Sequence, residues 1–304
     1  MNFKKLFIAI LIPLLVLIIP TEWIPIHNLT LIEHRVIAIF ILATLFWILE
    51  PIPIFATSML IITLELFMIS DNSIAFLRSG AGTEGFGTLL SYKAIMATLA
   101  SPIIMLFLGG FFLAAAATKY RLDVNLARVL LKPFGSSPKT MMMGLMIITA
   151  IFSMFMSNTA TTAMMLAILA PVLAMFERDD PARVAFLLAI PFAANIGGIG
   201  TPIGTPPNAV AMKYLTGDAF ISFGAWMAFA IPYVVILLIF AWLLLLLLFK
   251  PKATELKLEI KSSFMRSPKA LTVYITFAFT ILMWIFSDLH GISSYVVAMI
   301  PVAV

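Results

Sequence analysis

Residues 140–176 form a run of 37 residues without a single ionisable side chain. As one continuous helix this run would be about 55 Å long, whereas the hydrocarbon core of a bilayer is only about 30 Å thick. Hydrophobic residues make up 62% of the chain and charged residues only 11%. A soluble protein of 304 residues cannot bury that much apolar surface in one or two cores. The chain is therefore predicted to be an all-α protein that crosses a membrane several times.

The middle of this run is polar, since Ser157, Asn158 and Thr159 have 17 residues of the run on each side. Each flank would form a helix of about 25 Å. We therefore predict a re-entrant helical hairpin over 140–176, which enters and leaves on the same side of the membrane. Irregular backbone at that depth is tolerated only where it is buried in protein or lines a cavity. Hydrogen bonding between two ordinary helices is the alternative explanation of the same three residues.

A second interruption lies within 184–220, where residues 197–208 contain four glycines and three prolines. No continuous helix tolerates that composition, so we predict a broken helix, with a plain kink or an aqueous loop as the alternatives. Thr205 followed by Pro206 is typical of a helix N-cap with proline at the first helical position. We expect the N–H groups at the start of this helix to stabilise an anion. Paired discontinuous helices are typical of the binding site of a transporter.

The other apolar runs define the predicted organisation. It consists of a first transmembrane helix and outer loop (1–35), a first inverted repeat that includes the hairpin and the broken helix (36–249), a cytoplasmic linker (250–269) and the start of a second repeat (270–304). The Lys and Arg residues divide 15 to 4 between the two sides of the membrane under this organisation. That asymmetry predicts a cytoplasmic N-terminus and a multi-pass protein of the cell inner membrane.

Four stretches of sequence resemble the divalent anion/sodium symporter family, whose members move dicarboxylates, citrate or sulfate. They are residues 157–159 preceded by Ser153, residues 204–208 (Gly-Thr-Pro-Pro-Asn), residues 46–53 followed by Thr57, and residues 108–113. The family fold has two inverted repeats, each with one hairpin and one broken helix. The resemblance implies this fold, a homodimeric scaffold, and an elevator-type movement of a transport domain against it.

The resemblance also implies site residues. Those implied to bind Na⁺ are Ser153, Ser157, Asn158 and Gly204, the last through its carbonyl oxygen. Those implied to bind the substrate are Asn158, Thr159 and Thr205. Na⁺ prefers hydroxyl, amide and carbonyl oxygens, while hydroxyls, amides and helix N-termini hold a carboxylate without a buried cation. The implied function is sodium-coupled symport of small divalent anions, chiefly di- or tricarboxylates, with Na⁺ as the coupled ion.

The chain departs from the family pattern because a second Ser-Asn-Thr and a second Gly-Pro break are absent. Trp284-Ile285 echoes Trp47-Ile48 with an offset of 237 residues, which would place the partner signature near position ~394. We therefore expect the chain to be an N-terminal portion of the family fold with a truncated second repeat, and to hold half of a binding site.

Two other transport modes fit the same features, namely a dicarboxylate exchanger of this fold and a proton-coupled efflux transporter for an oxyanion such as arsenite. Cysteine is absent, and neither a Walker A loop nor a metal-ligand cluster occurs in the sequence, so nothing indicates an enzyme. The basic residues lie between apolar runs, so we expect no nucleic-acid partner. The expected partners are a small anion, membrane lipid and a second copy of the chain.

Overall fold

The computed structural model describes residues 3–215, 217–256 and 263–304. Within these ranges the chain is mostly helical, and its extended backbone pairs only in one isolated bridge between Ser70 and Leu90. Four helical segments are long and apolar enough to cross a membrane: Leu31–Leu49, Tyr92–Lys119, Phe223–Leu248 and Pro268–Ile285. The prediction of an all-α membrane protein is confirmed.

The first of two compact units is Met1–Ser101. Its helices are α1 (Phe3–Ile18), α2 (Leu31–Leu49), α3 (Ile54–Met68) and α4 (Tyr92–Ala97). Helix α2 begins directly after Thr30 because Thr30 and Glu33 form a capping box. It ends where Glu50 adopts a left-handed conformation (φ 46°) next to Pro51, which separates α2 from α3.

The apolar segment Tyr92–Lys119 is not one continuous α-helix. Helix α4 ends at Ala97, a short 3₁₀ turn covers Thr98–Ala100, and the next α-helix begins at Pro102. Proline has no N–H to continue the helical ladder, and it drives the preceding residue out of the helical region. Ser101 accordingly has an extended conformation, with φ −62° and ψ 148°.

The second unit is Pro102–Val304, and it contains every residue of the predicted sites. Its longer helices are α5 (Pro102–Lys119), α6 (Leu122–Leu131), α7 (Pro138–Ser153), α8 (Asn158–Leu173), α9 (Ala182–Gly198), α10 (Pro206–Tyr214), α11 (Phe223–Leu248) and α12 (Pro268–Ile285). Three short helices follow: α13 (Ser287–His290), α14 (Ser294–Val297) and α15 (Ile300–Ala303).

The largest apolar core of the second unit is formed mainly by α7, α8, α9 and α11. Helix α9 approaches α7 closely, because a Cβ atom added to Gly197 would lie only 2.4 Å from the Cα of Ala150. In membranes such close approach of small residues holds helices together by packing, since lipid supplies no hydrophobic drive between them. The C-terminal end of α9, where the chain leaves the helix, is therefore held firmly against α7.

Candidate functional site

The first interruption in the second unit is the turn of residues 154–157 between α7 and α8. Ser157 is extended (φ −63°, ψ 142°), and its Oγ accepts a hydrogen bond of 3.2 Å from the N–H of Ala160. This is the geometry of a serine N-cap, which stops the chain from continuing as one helix and starts α8 at Asn158. The polar centre of the long uncharged run is thus the first turn of a new helix.

The second interruption is the loop of residues 199–205 between α9 and α10. Thr205 is extended (φ −149°, ψ 143°) and precedes Pro206, so it occupies the N-cap position that the sequence predicts. Its hydroxyl makes no capping hydrogen bond.

The carbonyl groups of this loop are satisfied by side chains from neighbouring helices. The amide nitrogen of Asn208 lies 2.9 Å from the carbonyl oxygens of both Gly198 and Thr201. The indole nitrogen of Trp226, in α11, donates to the carbonyl of Ile199 at 3.0 Å. Unwound backbone without water must find protein partners, and these two side chains provide them.

The two interruptions meet in a contact that we call the junction, formed by residues 153–158 and 198–205. The hydroxyl of Thr201 donates to the carbonyl oxygen of Met154, and it also accepts from the N–H of Gly204 at 3.1 Å. Gly198 permits the contact, since a Cβ atom there would lie 2.6 Å from the side-chain amide of Asn158 and 3.2 Å from the carbonyl oxygen of Gly204. The polar stretches that the sequence singles out separately are therefore in direct contact.

The side-chain amide of Asn158 lies at the centre of the junction. Its inner end is 2.7 Å from Ser153 Oγ, 3.2 Å from the carbonyl oxygen of Gly204 and 3.3 Å from that of Ala194. Its outer end is 3.2 Å from the side chain of Asn195. With nitrogen at the inner end, the amide has two hydrogens to donate among these three oxygens.

The predicted site residues fall into two groups. The structure brings together three of the residues implied to bind Na⁺, which are Ser153, Asn158 and Gly204. Ser157 is adjacent, but its hydroxyl caps α8. Thr159 is exposed on the first turn of α8 and Thr205 is half-buried at the start of α10. In the part of the chain that the structure describes, neither threonine hydroxyl hydrogen bonds to the three-residue cluster.

The expectation that N–H groups at the start of α10 bind an anion is wrong. The first two residues of α10 are Pro206 and Pro207, which carry no N–H, and the N–H of Asn208 donates to the carbonyl of Thr205 at 3.1 Å. Helix α8 is different, because the N–H groups of Asn158 and Thr159 have no hydrogen-bond partner among the described residues. The unoccupied donors of the junction therefore belong to α8.

No role in a binding site was predicted for Thr201, Asn208, Asn195 or Trp226. The first two lie inside the Gly-Pro stretch, where a side chain able to hydrogen bond to unwound backbone could have been expected. Asn195 is the sole amide in the apolar helix α9. A tryptophan near the start of an apolar helix, such as Trp226, is typical of the aromatic belt at a membrane interface. Trp226 is instead 9% exposed and hydrogen bonded to the loop.

The other end of α9 is anchored by two neighbouring carboxylates. Asp180 is buried, and its carboxylate accepts from the N–H groups of Ala182 at 2.9 Å and Ala253 at 3.2 Å. Asp179 is exposed and accepts from Lys252 Nζ at 2.6 Å. That hydrogen bond is the main reason why the pKa of Asp179 lies below its usual value and the pKa of Lys252 above it.

A polytopic helical fold in which two interrupted helices meet through polar backbone is the architecture of secondary transporters. The chain belongs to the citrate transporter family, whose sequence profile matches residues 44–303. The family-level resemblance found in the sequence is confirmed, and the chain is a multi-pass membrane protein of a transporter family.

Three relatives illustrate the similarity. An uncharacterized transporter of Haemophilus influenzae is 36% identical over 204 residues, covering 66% of this chain and 43% of that protein. The sodium-dependent dicarboxylate transporter SdcS of Staphylococcus saprophyticus is 35% identical over 221 residues, covering 68% of this chain and 39% of that protein. An inorganic phosphate transporter of Saccharomyces cerevisiae is 30% identical over 258 residues, covering 83% of this chain and 26% of that protein. The chain thus spans less than half of the length of each of these relatives.

Proposed function

We propose that the protein is a sodium-coupled symporter of small divalent anions, chiefly di- or tricarboxylates. The observation that carries the proposal is the position of the Asn158 amide, whose inner end faces Ser153 Oγ and the carbonyl of Gly204 across the junction. The similarity to a sodium-dependent dicarboxylate transporter supports the same ion and substrate class.

The proposed sodium site consists of neutral oxygens. When the oxygen of the Asn158 amide is at the inner end, it faces the carbonyls of Gly204 and Ala194 and the hydroxyl of Ser153. Several acceptors so close together need a cation between them, because only the hydroxyl can donate a hydrogen. Unwound carbonyls and side-chain oxygens are the ligands that transporters use for Na⁺. The capping hydroxyl of Ser157 keeps a second lone pair for the same ion.

The proposed anion site is the start of α8. The N–H groups of Asn158 and Thr159 are unoccupied within the described part of the chain, and the helix dipole adds partial positive charge there. The hydroxyl of Thr159 lies on the same turn, and the uncapped hydroxyl of Thr205 supplies a donor from the second interruption. Because Asn158 would bind both the cation and the anion, loading of one would favour the other.

The wider transport scheme is also part of the proposal. The turn of residues 154–157 would be the tip of a re-entrant hairpin, and α9 with α10 would be the broken helix that faces it. A transport domain that includes both interruptions would move against a dimeric scaffold in the inner membrane. The Lys and Arg distribution supports a cytoplasmic N-terminus.

A second candidate substrate is inorganic phosphate. The yeast phosphate transporter aligns with 83% of this chain, more than the dicarboxylate transporter does. Phosphate at neutral pH is also a small anion that N–H groups and hydroxyls can hold.

Uptake by the complete protein in proteoliposomes tests the proposal. We expect uptake of radiolabelled succinate or citrate to require an inward Na⁺ gradient and to fall to background when choline replaces Na⁺. Competition by unlabelled phosphate would identify the second substrate class. Uptake that ignores Na⁺ but requires a dicarboxylate inside the vesicles would overturn symport and establish exchange.

A further inference from the structure

The residue that meets the outer end of the Asn158 amide is Asn195, near the C-terminal end of α9. Its Oδ1 lies 3.2 Å from the outer end of the amide, and the residue is exposed. Across residues 3–215, 217–256 and 263–304, the side chain of Asn195 makes no other hydrogen bond. It is therefore free to rotate without breaking another contact, and the two amides form an isolated pair.

The Asn158 amide can place either its nitrogen or its oxygen at the inner end, and these two orientations have different partners. Nitrogen at this end can donate its two hydrogens among Ser153 Oγ and the carbonyls of Gly204 and Ala194. Oxygen at this end meets the same two carbonyls as an acceptor facing acceptors, which is favourable only when a cation lies among them. The orientation of the amide is thus linked to cation binding, since each state favours one orientation.

The outer end of the amide needs opposite partners in these two states. When oxygen points inward, the nitrogen points outward and needs an acceptor, which Asn195 Oδ1 provides at 3.2 Å. When nitrogen points inward, the oxygen points outward and needs a donor, which the nitrogen of Asn195 provides once its own amide turns over. An asparagine supplies both a donor and an acceptor in nearly the same volume, whereas a carboxylate supplies acceptors alone.

We propose that Asn195 is a positioning residue for cation binding, and that its amide turns together with that of Asn158. Asn195 does not touch the ion, but it stabilises both orientations of the residue that does, and so sets the affinity for Na⁺. This inference rests on the proposed sodium site.

A thermal-stability titration of the purified complete protein tests it. The melting temperature is measured against NaCl concentration, with choline chloride keeping the ionic strength constant, because a ligand that binds the folded state raises the melting temperature. Asn195→Asp presents only acceptors, which fixes the oxygen of Asn158 inward. We expect it to lower the half-saturating Na⁺ concentration about fivefold, the equilibrium value of one net hydrogen bond.

Two further variants separate positioning from a structural role. Asn195→Lys presents only donors, so we expect it to raise the half-saturating concentration about fivefold. Asn195→Leu removes the partner from both orientations and should fall between the charged variants. If Asn195 merely stabilises the fold, the leucine variant will instead be the worst of the three, and the inference is overturned. Because the residue is exposed, each variant should purify, and the lysine variant alone suffices if the aspartate one does not.

A double substitution separates hydrogen bonding from simple charge attraction. Asn158→Asp places oxygen at both ends of the side chain, so no nitrogen remains to donate outward. In this background Asn195→Asp should no longer improve Na⁺ binding. An improvement that persists there, or that the exposed control Asn28→Asp in the first unit reproduces, would show that negative charge alone acts and would overturn the inference.

If the proposed sodium site is wrong, the titration gives a different result from the one expected if only the role of Asn195 is wrong. If the unsubstituted protein gains no stability from Na⁺ over choline, the sodium site itself is wrong, and the role of Asn195 falls with it. If the unsubstituted protein responds to Na⁺ while Asn195→Asp leaves the half-saturating concentration unchanged or raises it, only the positioning role is overturned.

Discussion

The turn between α7 and α8 and the loop between α9 and α10 both interrupt apolar helices, but they leave different groups available to a ligand. The turn is four residues long and ends in a serine N-cap, after which the N–H groups of Asn158 and Thr159 remain unoccupied. The loop ends in two prolines, so α10 begins without free N–H groups. What the loop contributes at the contact is the carbonyl of Gly204, next to the Asn158 amide.

This difference indicates that the two interruptions suit different ligands. Donors from α8 suit an anion, and carbonyls from the loop suit a cation. Asn158 is the residue where the two meet, because its backbone N–H belongs to the donor group and its side chain faces the acceptor group. Loss of the N–H donors of α8 should therefore affect chiefly the anion, and displacement of the Gly204 carbonyl chiefly Na⁺.

The largest effect on transport is expected from adding a methyl group to the loop. In Gly204→Ala the new Cβ would lie 2.4 Å from the carbonyl oxygen of Gly198, a backbone atom that cannot move aside cheaply. Forced repacking of this kind costs about 1–3 kcal/mol or more, so we expect Na⁺-dependent uptake to be lost. Gly110→Ala is the matched control, because its Cβ would make an ordinary contact of 3.7 Å with Ile203. Equal activity of the two variants would contradict the tight junction.

The largest effect on stability is expected from Asn208→Asp, which changes the hydrogen bonding of the loop but not its volume. The nitrogen that donates to the carbonyls of Gly198 and Thr201 would become an oxygen facing two oxygens. An unpaired buried charge costs roughly 3–5 kcal/mol, so the melting temperature should fall steeply. Asn208→Ala should be milder, since it removes the donor without adding a charge. A stable, active aspartate variant would show that the loop is not held by this amide.

A smaller effect separates the two N-cap residues. Ser157→Ala removes the acceptor for the N–H of Ala160 and should cost about 0.5–2 kcal/mol of stability. Thr205→Val removes a hydroxyl that makes no capping bond, so the melting temperature should not change. If that hydroxyl binds the anion, the half-saturating substrate concentration will rise while the stability stays constant. Equal loss of stability in both variants would remove the distinction between the two interruptions.

At the far end of α9 the effect is expected at Asp180 and not at Asp179. Asp180→Ala would leave the N–H groups of Ala182 and Ala253 without their acceptor and should cost roughly 1–3 kcal/mol. Asp179→Ala should not change the melting temperature measurably, because exposed ion pairs contribute little. An equal loss in the two variants would contradict the assignment of the anchor to Asp180.

The pH dependence of the exposed pair follows from its two pKa shifts. The pKa of Asp179 is lowered, so its contribution is present above the unfolded carboxyl pKa and is lost as the pH falls through the folded value. The pKa of Lys252 is raised, so its contribution is present below the unfolded amine pKa and is lost as the pH rises through the folded value. Between about pH 6 and 8 both groups stay charged, so we expect this pair to cause no change in the melting temperature over that range.

The positions of both interruptions could be predicted from the sequence, because Ser157-Asn158 and the Gly-Pro stretch each disturb an otherwise apolar run. The start of α10 at Pro206 could also be predicted. The absence of N–H groups from its first two residues could be predicted as well, because both residues are prolines. The break before Pro102 could have been recognised from the same property of proline.

The contacts across the junction could not be predicted in this way. Asn195 and Asn158 are 37 residues apart, and no local pattern indicates that an exposed amide on α9 meets the first turn of α8. Trp226 is a similar case, since a tryptophan near the start of an apolar helix is typical of a membrane interface, whereas here it donates to Ile199. Such pairs depend on how α9 packs against its neighbours, and that packing is a property of the whole unit.

Equilibrium binding of radioactive sodium to the purified complete protein, with and without Asn158→Ala, tests the central claim most directly. The account predicts saturable binding by the unsubstituted protein and by Asn72→Ala, an exposed asparagine of the first unit. It also predicts loss of that binding in Asn158→Ala. Unaltered sodium binding by a folded Asn158→Ala protein would contradict the account, because the amide at the centre of the junction would then not be a ligand.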